Sequence, residues 1–203
     1  MIDVHMGYSP NNVQYRRLAL ESLNHPGFNV IEVSDANSAL ELRTKGIQRS
    51  NAEYISYVDD DDLLVNPDII SKYIQYQKPN AVFTNSNIID STGKCLRNWL
   101  SSGFHFNQSE LIKGNQRIHQ LYVVKRELAN RAIEQTNNVA KLLKVEHIKE
   151  WPCELSFVIE VAKLTQWKYL PEICYAWRQH SSIQMHGTSA KYIDQIIKYY
   201  NAS

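Results

Sequence analysis

Four consecutive carboxylates, Asp59 through Asp62, directly follow the apolar-rich segment 54–58. Adjacent negative charges repel one another, so a folded protein keeps such a group together where a cation compensates it. Mg²⁺ or Mn²⁺ suits this role, because hard cations bind carboxylate oxygens and leave positions open for the phosphate oxygens of a substrate. This acidic run (residues 59–62) therefore predicts a metal site for a phosphorylated substrate. The alternative is a solvated acidic turn.

The four acids of the run are not equivalent if the preceding strand continues into it. Successive side chains of an extended segment point to opposite faces, so Asp59 and Asp61 would share one face. Asp60 would then face away, and Asp62 is a candidate cap for the turn before Asn66. Asp61 and Asp59 are consequently the first candidates for metal ligands.

The length and composition of the chain limit the classes of protein to which it can belong. The chain has 203 residues, of which 43% are hydrophobic, enough for one core and a single domain over residues 1–203. A formal charge of +1 excludes the global basic field of a nonspecific nucleic-acid binder. Three widely spaced cysteines indicate free thiols in a reducing compartment, and no segment approaches the length of a membrane span. We therefore expect a cytoplasmic protein.

Strand-like and helical patterns alternate in the first half of the chain, which is typical of parallel strands joined by helices in an α/β fold. Asn11 or Asn12 is a candidate cap for the first helix, Ser34 or Asp35 for the second, and Gly46 suits the left-handed position that ends the second helix. The predicted elements are strands at 1–7, 29–33 and 53–58 and helices at 13–23 and 35–45. The acidic run falls at the carboxyl end of the third strand, where open α/β sheets bind ligands.

The second half of the chain has weaker patterns. Asn66 and Pro67 indicate the start of a helix. Further predicted elements are strands at 81–84, 118–124 and 173–177 and helices at 126–135, 152–164 and 191–200, with an irregular segment at 89–115.

Five segments together resemble one known family. They are 29–38, with Asp35 in a Ser-ended turn; 43–46, Arg-Thr-Lys-Gly; 53–64, which contains the acidic run; 169–172, Tyr-Leu-Pro-Glu; and 175–182, Tyr-Ala-Trp-Arg-Gln-His-Ser-Ser. In order and spacing they resemble the inverting GT-A glycosyltransferases of family 2, over roughly residues 1 to 183. The resemblance implies a single-domain GT-A, Rossmann-like fold with a mixed central sheet flanked by helices. In that fold residues 1–90 would form the nucleotide-sugar-binding half and residues 91–203 the acceptor-binding and catalytic half.

The resemblance also implies an activity and a set of site residues. A sugar, expected to be a hexose, would pass with inversion from a nucleotide-diphosphate sugar to an acceptor hydroxyl, with Mn²⁺ or Mg²⁺ as cofactor. The implied metal ligands are Asp61, Asp59 and His180. The implied nucleotide-sugar contacts are Asp35, Arg43, Asp59, Asp60 and Arg178, with Asp35 at the nucleobase.

Each of these assignments has a structural alternative. Asp35 can cap a helix, and His180 can be a structural histidine in an aromatic-rich segment. Arg178 can pair with pyrophosphate or form a salt bridge under the sheet.

The catalytic base is the assignment in which this chain departs from the family. The family usually has a Glu-Asp pair about one helix before its Leu-Pro-Glu segment, and the matching positions here are Cys153 and Glu154. Glu154 can accept the proton of the acceptor hydroxyl, but its arm is one methylene longer than that of aspartate. The alternative role of Glu154 is a first-turn acid that favours the helix dipole.

Two other functions remain open at this stage. A noncatalytic binding module of the same fold would explain the altered Cys153–Glu154 pair. A nucleotidyltransferase would use similar metal-binding carboxylates. The expected acceptor is a glycan or another hydroxyl compound, with a modified nucleic-acid base as a more speculative choice, and the sequence does not predict the oligomeric state.

Overall fold

The computed structural model describes residues 1–100, 121–145, 152–180 and 189–202. A 3-10 turn at Pro10–Asn12 precedes the first helix. The helices are α1 (Val13–Ser22), α2 (Ala39–Arg49), α3 (Pro67–Gln77), α4 (Arg126–Leu142), α5 (Cys153–Leu164) and α6 (Ser189–Ala202). The strands are β1 (Ile2–Gly7), β2 (Phe28–Val33), β3 (Tyr54–Tyr57), β4 (Leu63–Leu64), β5 (Ala81–Ile89), β6 (Cys95–Trp99), β7 (Tyr122–Lys125) and β8 (Lys168–Arg178).

The described strands form one mixed sheet in the order β2-β1-β3-β7-β5-β8-β4, with β6 paired to β5. β1 is parallel to β2 and to β3, and β5 is parallel to β8. β7 runs antiparallel to both β3 and β5. The prediction of an α/β fold with a mixed central sheet flanked by helices is confirmed.

Hydrophobic side chains cover both faces of the sheet. β1 and β3 are buried almost throughout, as expected for interior parallel strands. On one face α2, α4, α5 and α6 pack over the sheet, with Leu40, Phe157 and Ile196 among the buried residues. On the other face α1 and α3 contribute Ala19 and Ile70. The sheet therefore lies between two layers of helices.

The start and end of α2 differ from the prediction. Ser38, rather than Ser34 or Asp35, caps the helix, and its Oγ accepts a hydrogen bond of 3.1 Å from the backbone N–H of Glu41. Gly46 lies inside the helix instead of ending it. A Cβ at Gly46 would lie 2.5 Å from the His5 ring, so the glycine permits close approach of α2 to β1.

The predicted asparagine caps stand at the ends of their helices but bond elsewhere. Asn12 precedes α1 and Asn66 precedes α3, and neither makes a side-chain cap hydrogen bond. Asn12 Nδ2 instead donates to Asp60, and Asn66 Nδ2 donates to the carbonyl of Ile173. Both side chains therefore fasten the helix ends to other segments.

Several predicted elements are longer in the structure. The strand at 81–84 extends to Ile89, the strand at 173–177 is the end of the long β8, and the helix at 126–135 extends to Leu142. Parallel pairing of β5 with β8 stabilises the polar part of β5 that its sequence alone did not indicate. Residues 118–120 of the predicted strand at 118–124 lie outside the described residues. Within the part of the chain that the structure describes, no helix is both long and apolar enough to cross a membrane.

Candidate active site

The acidic run forms the turn between β3 and β4. The backbone N–H of Val58 donates to the carbonyl of His5 (3.2 Å), which extends the β3–β1 pairing by one residue. The N–H of Asp62 donates to the carbonyl of Asp59 (3.2 Å) and closes the turn. Leu63 and Leu64 then pair with β8. The predicted position at the carboxyl end of the third strand is therefore correct, and β8 holds the run from its other side.

Asp60 fastens the acidic run to the loop after β1. Its side chain is buried. Oδ2 accepts from the backbone N–H of Ser9 (2.6 Å) and Oδ1 accepts from Asn12 Nδ2 (2.7 Å). Both carboxylate oxygens thus bond to the protein itself, and the nucleotide-sugar contact suggested for Asp60 stays a prediction.

Asp62 fastens the run to β8. This carboxyl is almost fully buried, and it accepts hydrogen bonds from Tyr175 Oη (2.6 Å) and from the backbone N–H of Arg178 (2.7 Å). Burial, followed by the nearby charges of Asp59 and Asp61, raises the pKa of Asp62 well above its usual range. Asp60 and Asp62 together therefore set the direction in which the other two acids point.

Asp61 meets His180 across the site. Asp61 Oδ2 lies 2.9 Å from His180 Nε2, and the imidazole packs against Tyr15 with ring centroids 4.7 Å apart. The histidine side chain is 3% exposed and the aspartate side chain 16%. The structure therefore brings together two of the three predicted metal ligands, residues 119 positions apart in the chain.

Arg178 lies beneath this pair rather than in the open part of the site. Its guanidinium is buried, stacks 4.8 Å from the centroid of the Tyr15 ring, and donates from Nε to the carbonyl of Asp61 (2.7 Å). Nη1 donates to the carbonyls of Asp90 and Ser91, at 3.2 and 3.3 Å. These contacts support the backbone of the acidic run, and a pyrophosphate contact by Arg178 stays a prediction.

Asp59 occupies the open part of the site. Its side chain is exposed by surface area, yet surrounding protein atoms, then the charges of Asp61 and Glu154, raise its pKa to about 7. Arg43 opposes the shift. Asp59, Asp61 and Glu154 are therefore close enough for their negative charges to repel one another, and a bound cation would offset this repulsion.

Glu154 stands in the first turn of α5 and pairs with Arg43 of α2. Arg43 Nη2 donates to Glu154 Oε1 at 3.2 Å, and the two side chains are 11% and 32% exposed. Arg43 Nη1 lies 3.5 Å from Cys153 Sγ, and its guanidinium lies 4.8 Å from the centroid of the Tyr57 ring. The first turn of α5 thus faces the acidic run, where the resemblance places the catalytic base.

Asp35 follows β2 at the same edge of the sheet, in an exposed position. Both of its oxygens accept from Arg49 Nη2 at 2.9 Å, and Lys45 Nζ lies 3.1 Å from Oδ2. Hydrogen bonding to Lys45, more than that to Arg49, lowers the pKa of Asp35. Asp35 does not cap α2, and its contact with a nucleobase stays a prediction.

Asp61 and His180 are the described side chains that could hold a metal ion together. Asp61 Oδ2 and His180 Nε2 are 2.9 Å apart, close to the roughly 3 Å between neighbouring ligands of an octahedral ion with bonds of about 2.1 Å. Among residues 1–100, 121–145, 152–180 and 189–202, no three His, Cys, Asp or Glu side chains form a group that could hold a metal ion. The carboxylate and imidazole suit Mn²⁺, and the remaining positions would need ligands from outside this set.

Sequence reasoning did not identify the side chains that hold the site in place. Ser9 and Asn12 hold Asp60, Tyr175 holds Asp62, and Tyr15 packs against His180. A signal for the first pair was present, because Ser9 and Asn12 directly follow β1 and so lie at the same sheet edge as the acidic run. The tyrosines carry no such signal in the sequence.

No protein-family model matches the chain, and no curated protein matches it significantly. Several solved structures match the chain. TarS of S. aureus, residues 1–349 in complex with UDP-GlcNAc, matches with a TM-score of 0.64 at 11% identity, over 98% of this chain and 66% of that one. The chain has the GT-A fold. The corresponding complex with UDP matches with a TM-score of 0.60 at 12% identity, over 98% and 70% of the two chains.

A longer TarS structure matches with a TM-score of 0.58 at 12% identity. This chain covers 42% of that longer chain and 66 to 70% of the 1–349 forms. The similarity thus extends over nearly all of the present chain and over a part of TarS. In the present structure the acidic run follows β3, and Glu154 at the start of α5 is close enough for its charge to raise the pKa of Asp59.

Proposed function

We propose that this protein is a metal-dependent glycosyltransferase that moves a sugar from a nucleotide-diphosphate sugar to an acceptor hydroxyl with inversion. The observation that carries the proposal is that Asp61 and Glu154 lie close enough to Asp59 to raise its pKa, at the end of β3 in a GT-A fold. Two of the matched TarS structures are complexes, one with UDP-GlcNAc and one with UDP. UDP sugars are therefore the first donors to test, and a transferred hexose is part of the proposal.

The metal-binding part of the site is Asp61 and His180, with Asp59 beside them. Bound Mn²⁺ or Mg²⁺ would supply electrostatic stabilisation for the developing charge of the nucleoside diphosphate leaving group. Hydrogen bonds from neighbouring residues hold this part of the site in place. Arg178 bonds the carbonyl of Asp61, while Asp60 and Asp62 fix the turn on either side. The ligands are thus preorganised by buried hydrogen bonds.

Glu154 is the proposed base. It removes the proton of the acceptor hydroxyl as that oxygen bonds to the anomeric carbon, while the bond from this carbon to the phosphate oxygen breaks on the opposite face. The configuration at the anomeric carbon inverts, and the proton is transferred to Glu154. The electron pair of the broken bond leaves with the nucleoside diphosphate. The acceptor is proposed to be a glycan or another hydroxyl compound in the cytoplasm.

The test begins with a screen of nucleotide sugars by thermal shift, with and without Mn²⁺. A donor at 100 times its dissociation constant stabilises the folded state by about 2.7 kcal/mol. We expect stabilisation that requires Mn²⁺, followed by release of nucleoside diphosphate in an acceptor screen. Asp61→Asn should lose the stabilisation that requires Mn²⁺, because it removes a proposed metal ligand. Asp68→Asn is the matched control and should keep this stabilisation, because Asp68 is an exposed carboxylate on α3.

The products separate the competing functions. Pyrophosphate release from a nucleoside triphosphate would indicate a nucleotidyltransferase and contradict the proposal. Donor binding with neither hydrolysis nor transfer would indicate a noncatalytic module. An α-linked donor that yields a β-linked product, read by the anomeric proton coupling in NMR spectra, would support inversion, whereas an α-linked product would contradict it.

A further inference from the structure

Arg43 is held on several sides by buried groups. Its Nε is 3.5 Å from Tyr122 Oη, its guanidinium lies over the Tyr57 ring, and Nη1 donates to the carbonyl of Ala39 (3.5 Å). Tyr57 and Tyr122 belong to β3 and β7, which pair with each other in the sheet. The guanidinium is therefore fixed relative to the acidic run, which begins two residues after Tyr57.

The positive charge of Arg43 is paired with the carboxylate of Glu154. Among the ion pairs of the described residues, Arg43 pairs with Glu154 alone. Burial by itself would lower the pKa of Arg43, but its acidic neighbours, Tyr122, Cys153 and Glu154, raise it well above the usual value. The side chain consequently stays charged, and its Nη2 continues to donate to Glu154 Oε1.

The neutral Cys153 does not compete with Glu154 for the guanidinium of Arg43. Burial raises the pKa of its thiol, so the side chain beside Arg43 Nη1 is neutral at physiological pH. A carboxylate at position 153 would compete with Glu154 for the same guanidinium. With cysteine at position 153, Glu154 is the one carboxylate among the described residues that forms an ion pair with Arg43.

We propose that Arg43 is a positioning residue for Glu154, holding Oε1 so that Oε2 is aimed at the acceptor hydroxyl. This inference rests on the proposed function, in which Glu154 is the base. It assigns Arg43 a role through Glu154 instead of a direct contact with the nucleotide sugar. A glutamate arm has one more rotatable bond than an aspartate arm, and the fixed guanidinium restricts that freedom.

The test is a double-mutant cycle of Arg43→Lys and Glu154→Gln in the full chain. Lysine keeps the charge but loses the planar fork, so it cannot hold Oε1 while bonding Tyr122 and Cys153. We expect Arg43→Lys to lower kcat about 10- to 100-fold, the effect of misplacing a catalytic group by about an ångström. The donor KM should stay within about two-fold, because Arg43 does not hold the donor in this proposal.

The cycle distinguishes positioning from a general structural role. If Arg43 acts through Glu154, Arg43→Lys has no further effect on kcat in the Glu154→Gln background. The same factor in both backgrounds, or a loss in donor KM with kcat unchanged, would overturn the inference. Arg17→Lys is the matched control, because Arg17 is 81% exposed on α1, and its kcat should equal that of the wild type.

A second variant covers the case in which Arg43→Lys folds poorly. Arg43→Met removes the hydrogen bond to Glu154 Oε1 and should lower kcat at least as much as Arg43→Lys, with the donor KM within about two-fold of the wild type. A wild-type kcat in Arg43→Met would overturn the inference. Wild-type protein that transfers no sugar would contradict the proposed function itself, whereas active wild type with independent effects contradicts only the role of Arg43.

Discussion

His5 on β1 gives the folded protein a sensitivity to acid that can be calculated from its surroundings. The side chain is fully buried, and its Nε2 lies 2.6 Å from Ser50 Oγ. Burial, with a smaller contribution from Arg43 and opposition from Asp3, lowers the pKa of His5 to about 4. The ring is therefore neutral in the folded protein at physiological pH.

The unfolded chain binds a proton at this histidine at higher pH than the folded protein does. Its pKa is about 6.5 when unfolded, so the free energy of unfolding falls as the pH drops from about 6.5 towards 4. The difference between 6.5 and about 4 corresponds to about 3.4 kcal/mol once both states are protonated. About 2 kcal/mol of this is lost between pH 7 and pH 5.

The assay is urea unfolding of the wild type and of His5→Gln at pH 7, 6 and 5. Glutamine can bond Ser50 but does not titrate, so it removes the contribution of His5 and leaves those of the other acids and bases. We expect the wild type to lose about 2 kcal/mol more than the variant between pH 7 and pH 5. The variant itself starts from a lower stability because its shape differs from that of the ring.

Gln48→Ala on α2 is the control, because it changes an exposed side chain that does not titrate. Its stability should follow the wild-type dependence on pH. Parallel curves for the wild type and His5→Gln would refute the argument that burial keeps His5 neutral.

Two further substitutions test the packing around the site. Gly46→Ala should destabilise the protein by about 1–3 kcal/mol in urea unfolding, because the new Cβ meets the His5 ring at 2.5 Å and this overpacking outweighs a helix-propensity gain of about 1 kcal/mol. Tyr175→Phe should cost about 1–3 kcal/mol, because the buried Asp62 loses the hydroxyl that donates to Oδ2.

Exposed positions serve as controls for both substitutions. Gln48→Ala on α2 and Tyr76→Phe on α3 change exposed side chains and should stay within about 0.5 kcal/mol of the wild type. A Gly46→Ala protein as stable as Gln48→Ala would contradict the close approach of α2 to β1. A Tyr175→Phe protein as stable as Tyr76→Phe would contradict the role of Asp62 as an anchor.

The sequence predicts the location of the acidic run because location depends on local patterns. An apolar β-rich segment followed by carboxylates indicates a strand end, and the structure confirms it for β3. The separate roles of Asp60 and Asp62 depend on Ser9 and Tyr175, residues distant in the chain. Such partners follow from tertiary packing, which periodicity does not encode.

The roles of Gly46 and Arg43, both on α2, also depend on residues that are distant in the chain. A glycine near a predicted helix end favours a left-handed terminus, and only the neighbouring His5 ring shows that close approach is its role. The hydrogen bond between Arg43 and Glu154 joins positions 111 apart in the chain. The resemblance assigned each residue a role separately and therefore did not place them together.

In the proposed function the acidic run binds a nucleotide-diphosphate sugar through a metal ion, and Glu154 acts only in transfer. Calorimetric titration of the donor found by the thermal-shift screen, with Mn²⁺ present, tests both roles most directly. We expect binding to the wild type and to Glu154→Gln, and no metal-dependent binding to Asp61→Ala. Equal binding to Asp61→Ala and the wild type would contradict the account.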